Sequence, residues 1–324
     1  MSDFVYLCRH DATVMKERKI DMSSDYVIET RHLTKTYGKM NAVSDVDMHV
    51  KKGSIYGLIG KNGAGKTTIM KVICGMAKET KGEVYLFGRL NERTKVSYKR
   101  LGVLIENPGI YPGMSAYDNL KCKAICLGIS NYKETIHDIL TLVGLEHTKR
   151  KAVRKFSLGM KQRLGIALAL IGEPDVLVLD EPINGLDPQG IVEIREMLLR
   201  LNKERKITIL ISSHILEELS KIVTDYGIIK DGKLIEEMTR EELMEKCLER
   251  IEIRTTNPDR TTTILEGMGI RKYKVTDKET IHVFEQLDRI SDINRQLIQA
   301  DIEVISIMAN NESIEDYFIH LTGK

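Results

Sequence analysis

The stretch from Gly53 to Gly75, GSIYGLIGKNGAGKTTIMKVICG, constrains the fold more than any other part of the chain. It begins with a short apolar run, Ile55 to Ile59, of the kind that forms a buried parallel strand. A glycine-rich turn follows, and after it a segment that favours a helix. The residues from Gly60 to Thr67 fill the pattern G-x-x-x-x-G-K-[ST], which predicts a phosphate-binding loop between the strand and the helix.

The chemistry of such a loop depends on its residue types. Small residues let successive backbone N–H groups turn toward an anion, and the following helix adds the positive end of its dipole. Lys66 is expected to reach the β- and γ-phosphates, Thr67 to help hold Mg²⁺, and Thr68 to close the first helical turn. A chain this long matches the bare pattern by chance at roughly the one per cent level. We therefore expect a nucleotide site, while the loop alone is compatible with a kinase, a GTPase or a motor.

Four polar side chains follow other apolar runs that are predicted to be strands. They are Glu106 after Leu101 to Ile105, Asp180 and Glu181 after Val176 to Leu179, and His214 after Ile207 to Ser212. In an open parallel sheet the ligand lies beyond the carboxyl ends of the strands. We therefore expect these side chains to meet the phosphate loop at one edge of an α/β sheet whose strands alternate with helices.

Two further regions accompany this sheet. The segment from Tyr26 to Val50 has strand-like patterning around a turn at Tyr37 and Gly38, which predicts an antiparallel β region. Tyr37 lies in that turn, where an exposed aromatic ring can stack on a base. The block from Ala116 to Val143 predicts two helices, and Ser157 is a suitable N-cap for a third, long helix.

Changes of pattern divide the chain into three segments. Residues 1–24 fit neither a signal peptide nor a transit peptide and are predicted to be a poorly ordered extension. Residues 25–239 carry the loop and all of the strand-end side chains. Residues 240–324 start a new pattern of strands and helices without a second glycine loop or a nucleophile-base set. They predict a small accessory α+β domain.

Composition limits the classes of function. The 324 residues are 42% hydrophobic and 30% charged, which is typical of a globular protein with more than one core. The net charge of +2 gives no reason to expect a nucleic-acid partner. The best apolar run, Leu164 to Ile171, is much shorter than the ~18 residues that a spanning helix requires. We therefore expect neither a transmembrane segment nor nucleic-acid binding.

Five of these segments together resemble the ATP-binding subunit of an ABC transporter. They are Gly60 to Thr68, Ser157 to Arg163, Val176 to Pro182, Asn184 to Pro188, and His214. The resemblance covers roughly residues 25–240. It implies a P-loop NTPase fold of the ABC type, with a mostly parallel sheet, an antiparallel β subdomain and a helical subdomain. The runs LIENP from Leu104, SLGMKQRLGIAL from Ser157, NGLDP from Asn184 and ISSHILEEL from Ile211 are most similar to the bacitracin and lantibiotic resistance exporters.

The resemblance also implies roles for the matching residues. Glu181 would polarise the attacking water, His214 would contact the γ-phosphate, and Tyr37 would stack on adenine. Ser157 and Gly159 would complete the site of a second copy across a head-to-tail dimer, with Asp187 at the interface. The implied nucleotide-binding residues are Tyr37, Gly60, Asn62, Gly63, Ala64, Gly65, Lys66, Thr67, Thr68, Glu106, Ser157 and Gly159. The implied catalytic residues are Lys66, Glu181 and His214, and the implied metal ligands are Thr67, Glu106 and Asp180.

Three residues depart from the pattern of most ABC proteins. Glu106 stands where most have Gln, Leu158 replaces a Gly of the signature segment, and Ile183 replaces a Thr after the acidic pair. The carboxylate of Glu106 adds a negative charge near the phosphates. Leu158 removes one flexible backbone position from the contact between the two copies.

The resemblance implies a function with defined partners. ATP and Mg²⁺ are the expected cofactors, and the expected partners are a separate membrane permease and a second copy of the chain. The protein is expected at the cytoplasmic face of the membrane, where ATP hydrolysis would power export of an antimicrobial peptide such as bacitracin or a lantibiotic. Two alternatives remain, namely a soluble mechanical or translation-associated ABC ATPase and an ABC-2 type exporter of an unrelated substrate.

Overall fold

The computed structural model describes residues 25–90, 98–310 and 313–323. The predicted extension of residues 1–24 lies outside these ranges. The chain forms two compact units, of which one ends at Arg240 and the other begins at Glu241. No helix in the described ranges combines the length and the apolar composition needed to cross a bilayer.

The first unit contains ten strands and six α-helices in its described part. In chain order they are β1 (Tyr26–Tyr37), β2 (Met40–Lys51), β3 (Ile55–Ile59), α1 (Lys66–Ile73), β4 (Lys81–Leu86), β5 (Arg89–Leu90), β6 (Leu101–Leu104), α2 (Ala116–Cys126), α3 (Tyr132–Leu142), α4 (Leu158–Leu170), β7 (Val176–Asp180), α5 (Pro188–Arg205), β8 (Thr208–Ser213), α6 (Leu216–Ser220), β9 (Asp225–Lys230) and β10 (Lys233–Thr239).

A six-stranded sheet in the order β10-β9-β3-β8-β7-β6 forms the centre of this unit. Neighbouring strands from β9 to β6 run parallel, and only β10 runs antiparallel, as the second strand of a hairpin. All residues of β3, β7 and β8 are buried, as expected of strands covered on both faces. The predicted α/β sheet with the phosphate loop on a central strand is therefore confirmed.

A second, antiparallel sheet in the order β2-β1-β4-β5 confirms the predicted β region. Its buried side chains share one hydrophobic core with α1, so the antiparallel sheet packs beside the helix that follows the phosphate loop. The core residues include Val46 and Met48 from β2 and Ile69 and Met70 from α1, each with a fully buried side chain. This packing brings the antiparallel sheet next to the phosphate loop.

The helical block agrees with the prediction apart from element ends. Ser157 caps α4, because its Oγ accepts a hydrogen bond from the Met160 N–H at 3.3 Å. The sequence pattern predicts a helix from Gly190 to Leu201, but α5 is longer, since it begins at Pro188 with Asp187 as its N-cap and ends at Arg205. Proline suits the first helical position because the N–H that it lacks has no intrahelical partner there.

The second unit is a four-stranded antiparallel sheet in the order β12-β13-β11-β14 with two helices between its strands. Its buried core joins the sheet to both helices through residues such as Ile253, Leu265 and Leu297. The Glu-rich run from Arg240 to Arg250 predicts one helix. The helix at the boundary, α7 (Arg240–Lys246), is shorter, and Arg250 starts the first strand of the sheet. The elements are α7 (Arg240–Lys246), β11 (Arg250–Thr255), α8 (Pro258–Gly267), β12 (Tyr273–Val275), β13 (Thr280–Val283), α9 (Ile290–Gln299), β14 (Val304–Asn310) and α10 (Ile314–Thr322).

Candidate nucleotide site

The parallel strands of the central sheet bring the predicted side chains to one edge. Strand β7 pairs with β8 so that Asp180 lies opposite Ser212, and β3 pairs with β8 so that Ile59 lies opposite Ser213. Glu106 follows β6, which runs parallel to β7. The phosphate loop, the acidic pair, Glu106 and His214 therefore all lie at the carboxyl ends of adjacent strands.

The phosphate loop fits its backbone environment closely. A Cβ atom on Gly60 would lie 2.5 Å from the Ile229 carbonyl oxygen, and one on Gly65 would lie 2.6 Å from the Ala42 carbonyl oxygen. Gly65 also has a φ of 111°, in a region that L side chains rarely adopt. A side chain at either glycine would therefore clash with a carbonyl oxygen, and at Gly65 it would also be strained by the backbone conformation.

A hairpin turn braces the loop from the neighbouring sheet edge. Gly232, in the turn between β9 and β10, donates its N–H to the Ala64 carbonyl at 2.9 Å, and its own carbonyl accepts the Ser44 N–H at 2.8 Å. The pair Asp231-Gly232 is a strong sequence signal for a two-residue hairpin turn, and both residues have the positive φ that such a turn requires. The loop backbone is therefore bonded to β9–β10 and, through the turn, to β2.

The loop also meets the requirement for an anion site. Helix α1 begins without a side-chain cap, whereas α2, α4 and α5 have Ser115, Ser157 and Asp187 as capping acceptors. The first N–H groups of a helix have no partner within the helix. Lys66, Thr67 and Thr68 supply these donors at α1, and Asn62 and Gly63 form the exposed tip of the loop. The residues present therefore fit a bound phosphate chain.

Lys66 is held at the centre of the loop, and its side chain is only 5% exposed. Its ammonium donates to the Gly60 carbonyl at 2.7 Å and to the Lys61 carbonyl at 3.2 Å. The same nitrogen lies 3.2 Å from Oε1 of Glu181. The cation thus connects the loop to the end of β7.

Thr67 and the end of β7 are joined by a chain of short hydrogen bonds. The Thr67 hydroxyl donates to Oδ2 of Asp180 at 2.8 Å, and the Ser212 hydroxyl donates to Oδ1 at 2.6 Å. The Ser212 oxygen also accepts the backbone N–H of Glu181 at 2.9 Å. Ser212 was not predicted as a site residue. The sequence shows only a hydroxyl near the end of a mostly apolar strand. The contact of that hydroxyl with Asp180 depends on the register between β7 and β8.

Glu181 and His214 form the second pair of the site. Nδ1 of His214 lies 2.7 Å from Oε2 of Glu181. The other oxygen, Oε1, is buried and accepts no hydrogen bond from the described residues, although Lys66 is at ion-pair distance. Glu181 has a φ of 49°, an uncommon conformation for a residue other than glycine and one that recurs at functional sites. The arrangement leaves a buried carboxylate oxygen able to accept a hydrogen bond from water.

Glu106 has an unpredicted partner. Its Oε1 lies 2.5 Å from Nζ of Lys71, which is in the second turn of α1. Glu106 also has a positive φ, of 58°. Its side chain is 61% exposed, in contrast to the buried Asp180.

The other predicted residues lie outside this hydrogen-bond network. Tyr37 ends β1 with its side chain 47% exposed and with Nζ of Lys35 4.7 Å from the ring centroid. Ser157 is the N-cap of α4 and Gly159 lies in its first turn, and Leu158 between them is 50% exposed. Ile183 is buried, so an apolar side chain packs where most ABC proteins carry Thr.

A metal ion would find few protein ligands here. No group of three or more His, Cys, Asp and Glu side chains in the described ranges is arranged to hold a metal. Mg²⁺ bound together with a nucleotide usually needs only one or two protein ligands, because phosphates and waters supply the rest. The Thr67 hydroxyl and the Asp180 carboxylate, already 2.8 Å apart, fit that requirement.

Comparisons with known proteins identify the family of this chain. The family model described as ABC transporter matches residues 43–184. The chain is 41% identical to the bacitracin transport ATP-binding protein BcrA of Bacillus licheniformis, over 92% of this chain and 97% of BcrA. It is 45% identical to the lantibiotic transport ATP-binding protein SrtF of Streptococcus pyogenes, over 64% of this chain and 89% of SrtF.

A solved structure gives the same result for the fold. The structure of cbiO1 from Clostridium perfringens, part of the ABC transporter complex cbiONQ, superposes with a TM-score of 0.64 at 27% identity. The match covers 69% of this chain and 92% of cbiO1. The predicted ABC-type fold and the predicted ATPase activity are therefore confirmed. The chain belongs to the ATP-binding proteins of ABC transporters, the subunits that bind and hydrolyse ATP.

Proposed function

We propose that this chain powers the export of an antimicrobial peptide such as bacitracin or a lantibiotic through a separate membrane permease. The likeness to BcrA carries this proposal, because it extends over nearly the whole of both chains and so includes the second unit. The likeness to SrtF supports peptide export but covers a smaller share of this chain.

In this proposal the site residues have distinct roles in phosphoryl transfer to water. The loop from Gly60 to Thr68 holds the phosphates of ATP, with Lys66 close to the β- and γ-phosphates. Glu181 orients and polarises the attacking water through Oε1, the oxygen that accepts no hydrogen bond from the described residues. His214 fixes the other oxygen of Glu181 and contacts the γ-phosphate. Positioning and charge neutralisation provide most of the rate in this chemistry.

The proposal includes Mg²⁺ as a second cofactor. The ion supplies Lewis-acid stabilisation of the phosphate oxygens when it is bound. Thr67 and Asp180 would hold the ion from the protein side, and Glu106 is a third candidate ligand. Ser212 keeps Asp180 in place, since its hydroxyl donates to the oxygen that Thr67 does not contact.

We further propose that two copies act together. Ser157 and Gly159 of one copy cover the nucleotide held by the other in a head-to-tail dimer, with Asp187 at the interface. The exposure of Ser157 and Leu158 at the start of α4 supports this arrangement, because an apolar side chain such as Leu158 gains from being covered. Tyr37 stacks on the adenine, and the dimer lies at the cytoplasmic face of the membrane against its permease.

The test is a susceptibility measurement. A strain that expresses this chain with its permease is compared with strains that carry Glu181→Gln or an empty vector, on bacitracin, a lantibiotic and an unrelated antibiotic. We expect resistance to a peptide antibiotic only with the unaltered chain. Equal susceptibility of all strains to both peptides would contradict the proposed substrate class. Co-purification of the chain with ribosomes, rather than with a membrane protein, would favour a translation-associated ATPase instead.

A further inference from the structure

The contact between Lys71 and Glu106 lies one helical turn from the metal side of the site. Thr67 and Lys71 are four residues apart in α1 and therefore lie on the same face of the helix. From that face Thr67 reaches Asp180, at the end of β7, and Lys71 reaches Glu106, which follows β6. Because β6 and β7 are neighbouring parallel strands, the two contacts lie side by side.

The negative charge of Glu106 requires a compensating positive charge nearby if a nucleotide is to bind beside it. A carboxylate near the phosphate end repels a nucleotide that carries several negative charges, and this repulsion acts over distances of about 10 Å at ordinary salt. Nζ of Lys71 lies 2.5 Å from one oxygen of Glu106. The pair therefore has no net charge, as the neutral amide of a Gln has none.

Folding stability does not by itself account for the pair. Glu106 is 61% exposed and Lys71 is 30% exposed, and ion pairs at such exposure add little to the free energy of folding. Glu106 is also held in an uncommon backbone conformation, and its side chain extends from the end of the strand to α1. The pair joins two segments that both border the candidate nucleotide site.

We propose that Lys71 is a positioning residue that neutralises and orients Glu106, so that the pair replaces the Gln found here in most ABC proteins. Lys71 binds Oε1 of Glu106. Oε2 of Glu106 then remains a hydrogen-bond acceptor, while the pair as a whole carries no net charge. This inference rests on the proposed roles of Thr67 and Asp180 at the phosphates and the metal.

The test is a double-mutant cycle on nucleotide binding by the full-length chain. Lys71→Met, Glu106→Gln and the double variant are titrated with ATP in the presence of EDTA, so that turnover and Mg²⁺ do not enter the measurement. We expect Lys71→Met alone to weaken ATP binding by about three- to tenfold, since it leaves the carboxylate unneutralised. Glu106→Gln alone should bind ATP at least as tightly as the unaltered chain, because it removes a negative charge near the phosphates. Adding Glu106→Gln to Lys71→Met should restore most of the affinity that Lys71→Met loses.

Two measurements separate this role from a purely structural one. The loss in Lys71→Met should shrink as salt is raised from low to high concentration, because screening weakens repulsion. Lys78→Met removes the same charge from an exposed residue beyond the end of α1 and should leave binding unchanged. A double variant that binds ATP as weakly as Lys71→Met, or no loss in Lys71→Met at all, would overturn the proposal.

A final variant distinguishes failure of this inference from failure of the nucleotide site. Lys66→Ala should abolish most ATP binding if the loop holds the phosphates. If Lys66→Ala binds normally, the site assignment fails. If Lys66→Ala loses binding while Glu106→Gln does not restore binding to Lys71→Met, only the positioning role fails.

Discussion

At the scale of single residues, the site depends on two acidic side chains with different surroundings. Asp180 is buried and accepts hydrogen bonds on both oxygens, from Thr67 and Ser212. Glu181 has one oxygen bound to His214 and one without a hydrogen bond from the described residues. The first carboxylate is therefore fixed for binding a cation, and the second keeps an acceptor for the reacting water.

Glu181→Gln tests the second role. The amide has nearly the same shape but is a much weaker base, so we expect ATP turnover to fall by about a hundredfold or more while ATP binding is retained. Steady-state hydrolysis and equilibrium ATP titration measure the two effects. Glu204→Gln, on the exposed side of α5, is the matched control and should hydrolyse ATP normally. Unchanged turnover in Glu181→Gln would show that another group activates the water.

Ser212→Ala tests the residue that the sequence did not reveal. The change removes a donor to Asp180 and the acceptor for the Glu181 N–H, so we expect a loss of about 1–3 kcal/mol in the free energy of unfolding. The affinity for Mg²⁺-ATP should fall as well, because Asp180 loses its support. Ser213→Ala removes a neighbouring buried hydroxyl that bonds only within its own turn, and should lower stability without weakening the metal dependence.

Some residues of the site could be predicted from the sequence and others could not, for a physical reason. Asp180, Glu181 and His214 could be placed because each follows an apolar run, and parallel strands end at one edge. Ser212 and Lys71 could not be assigned, because their partners depend on the register between strands and on which face of α1 meets the sheet. Local patterning does not contain that information.

At the scale of elements, a partly buried hydrogen-bond network joins three strands, β2, β3 and β10. The Tyr56 hydroxyl, in β3, donates to Oε1 of Glu237 in β10 at 2.6 Å. The His49 backbone N–H, in β2, donates to the same oxygen at 2.8 Å. The network links the central strand to the sheet edge and to the antiparallel sheet. Gly227 is required beside it, since a Cβ there would collide with the Tyr56 hydroxyl.

This network predicts a loss of stability at alkaline pH. Burial, followed by the negative charge of Glu237, raises the pKa of Tyr56 well above its ordinary value of 10.0. The neutral phenol therefore favours folding below pH 10, and this contribution is lost as the pH rises above 10, where the unfolded chain releases the proton. Denaturant unfolding at pH 8 and pH 10.5 should show a steeper decline for the unaltered chain than for Tyr56→Phe. An equal decline in the stability of the two proteins would contradict the role given to Tyr56.

The elements themselves were largely predictable, and their ends were not. The Asp231-Gly232 hairpin and the Ser157 cap follow from local backbone preferences, which act within a few residues. Helix α5 begins two residues earlier than predicted because Asp187 accepts the Gly190 N–H at 3.1 Å and Pro188 fits the first position. The pairing of β11 with both β13 and β14 required tertiary contacts that no local pattern shows.

At the scale of the whole molecule, the chain contains two units that each have a core of their own. The core of the first unit is formed by side chains of α1 and of both sheets. The core of the second unit is formed by side chains of β11, β13, α8 and α9. A unit with its own core can fold alone. This independence permits a direct test of where nucleotide binding lies.

A chain that ends at Arg240 should fold and bind ATP within about threefold of the full-length affinity, because every residue of the candidate site lies before that point. Cooperative thermal unfolding and ATP titration of the truncated and full-length chains make the comparison. A Lys66→Ala version of the truncated chain is the control for binding at the loop. An insoluble or non-binding truncated chain would show that the second unit is needed for the first.

The bond between Gly232 and Ala64 has a consequence for the thermodynamics of binding. A glycine-rich loop that was loose before ATP arrived would lose conformational entropy on ordering, and this loss would reduce affinity. Here the Ala64 carbonyl is already held by the hairpin turn at 2.9 Å, and the turn is itself held by Ser44. Much of the ordering of the phosphate loop is therefore complete once the protein has folded, before ATP binds. Hydrogen exchange at the Gly232 amide should consequently be slow without nucleotide and change little when ATP is added.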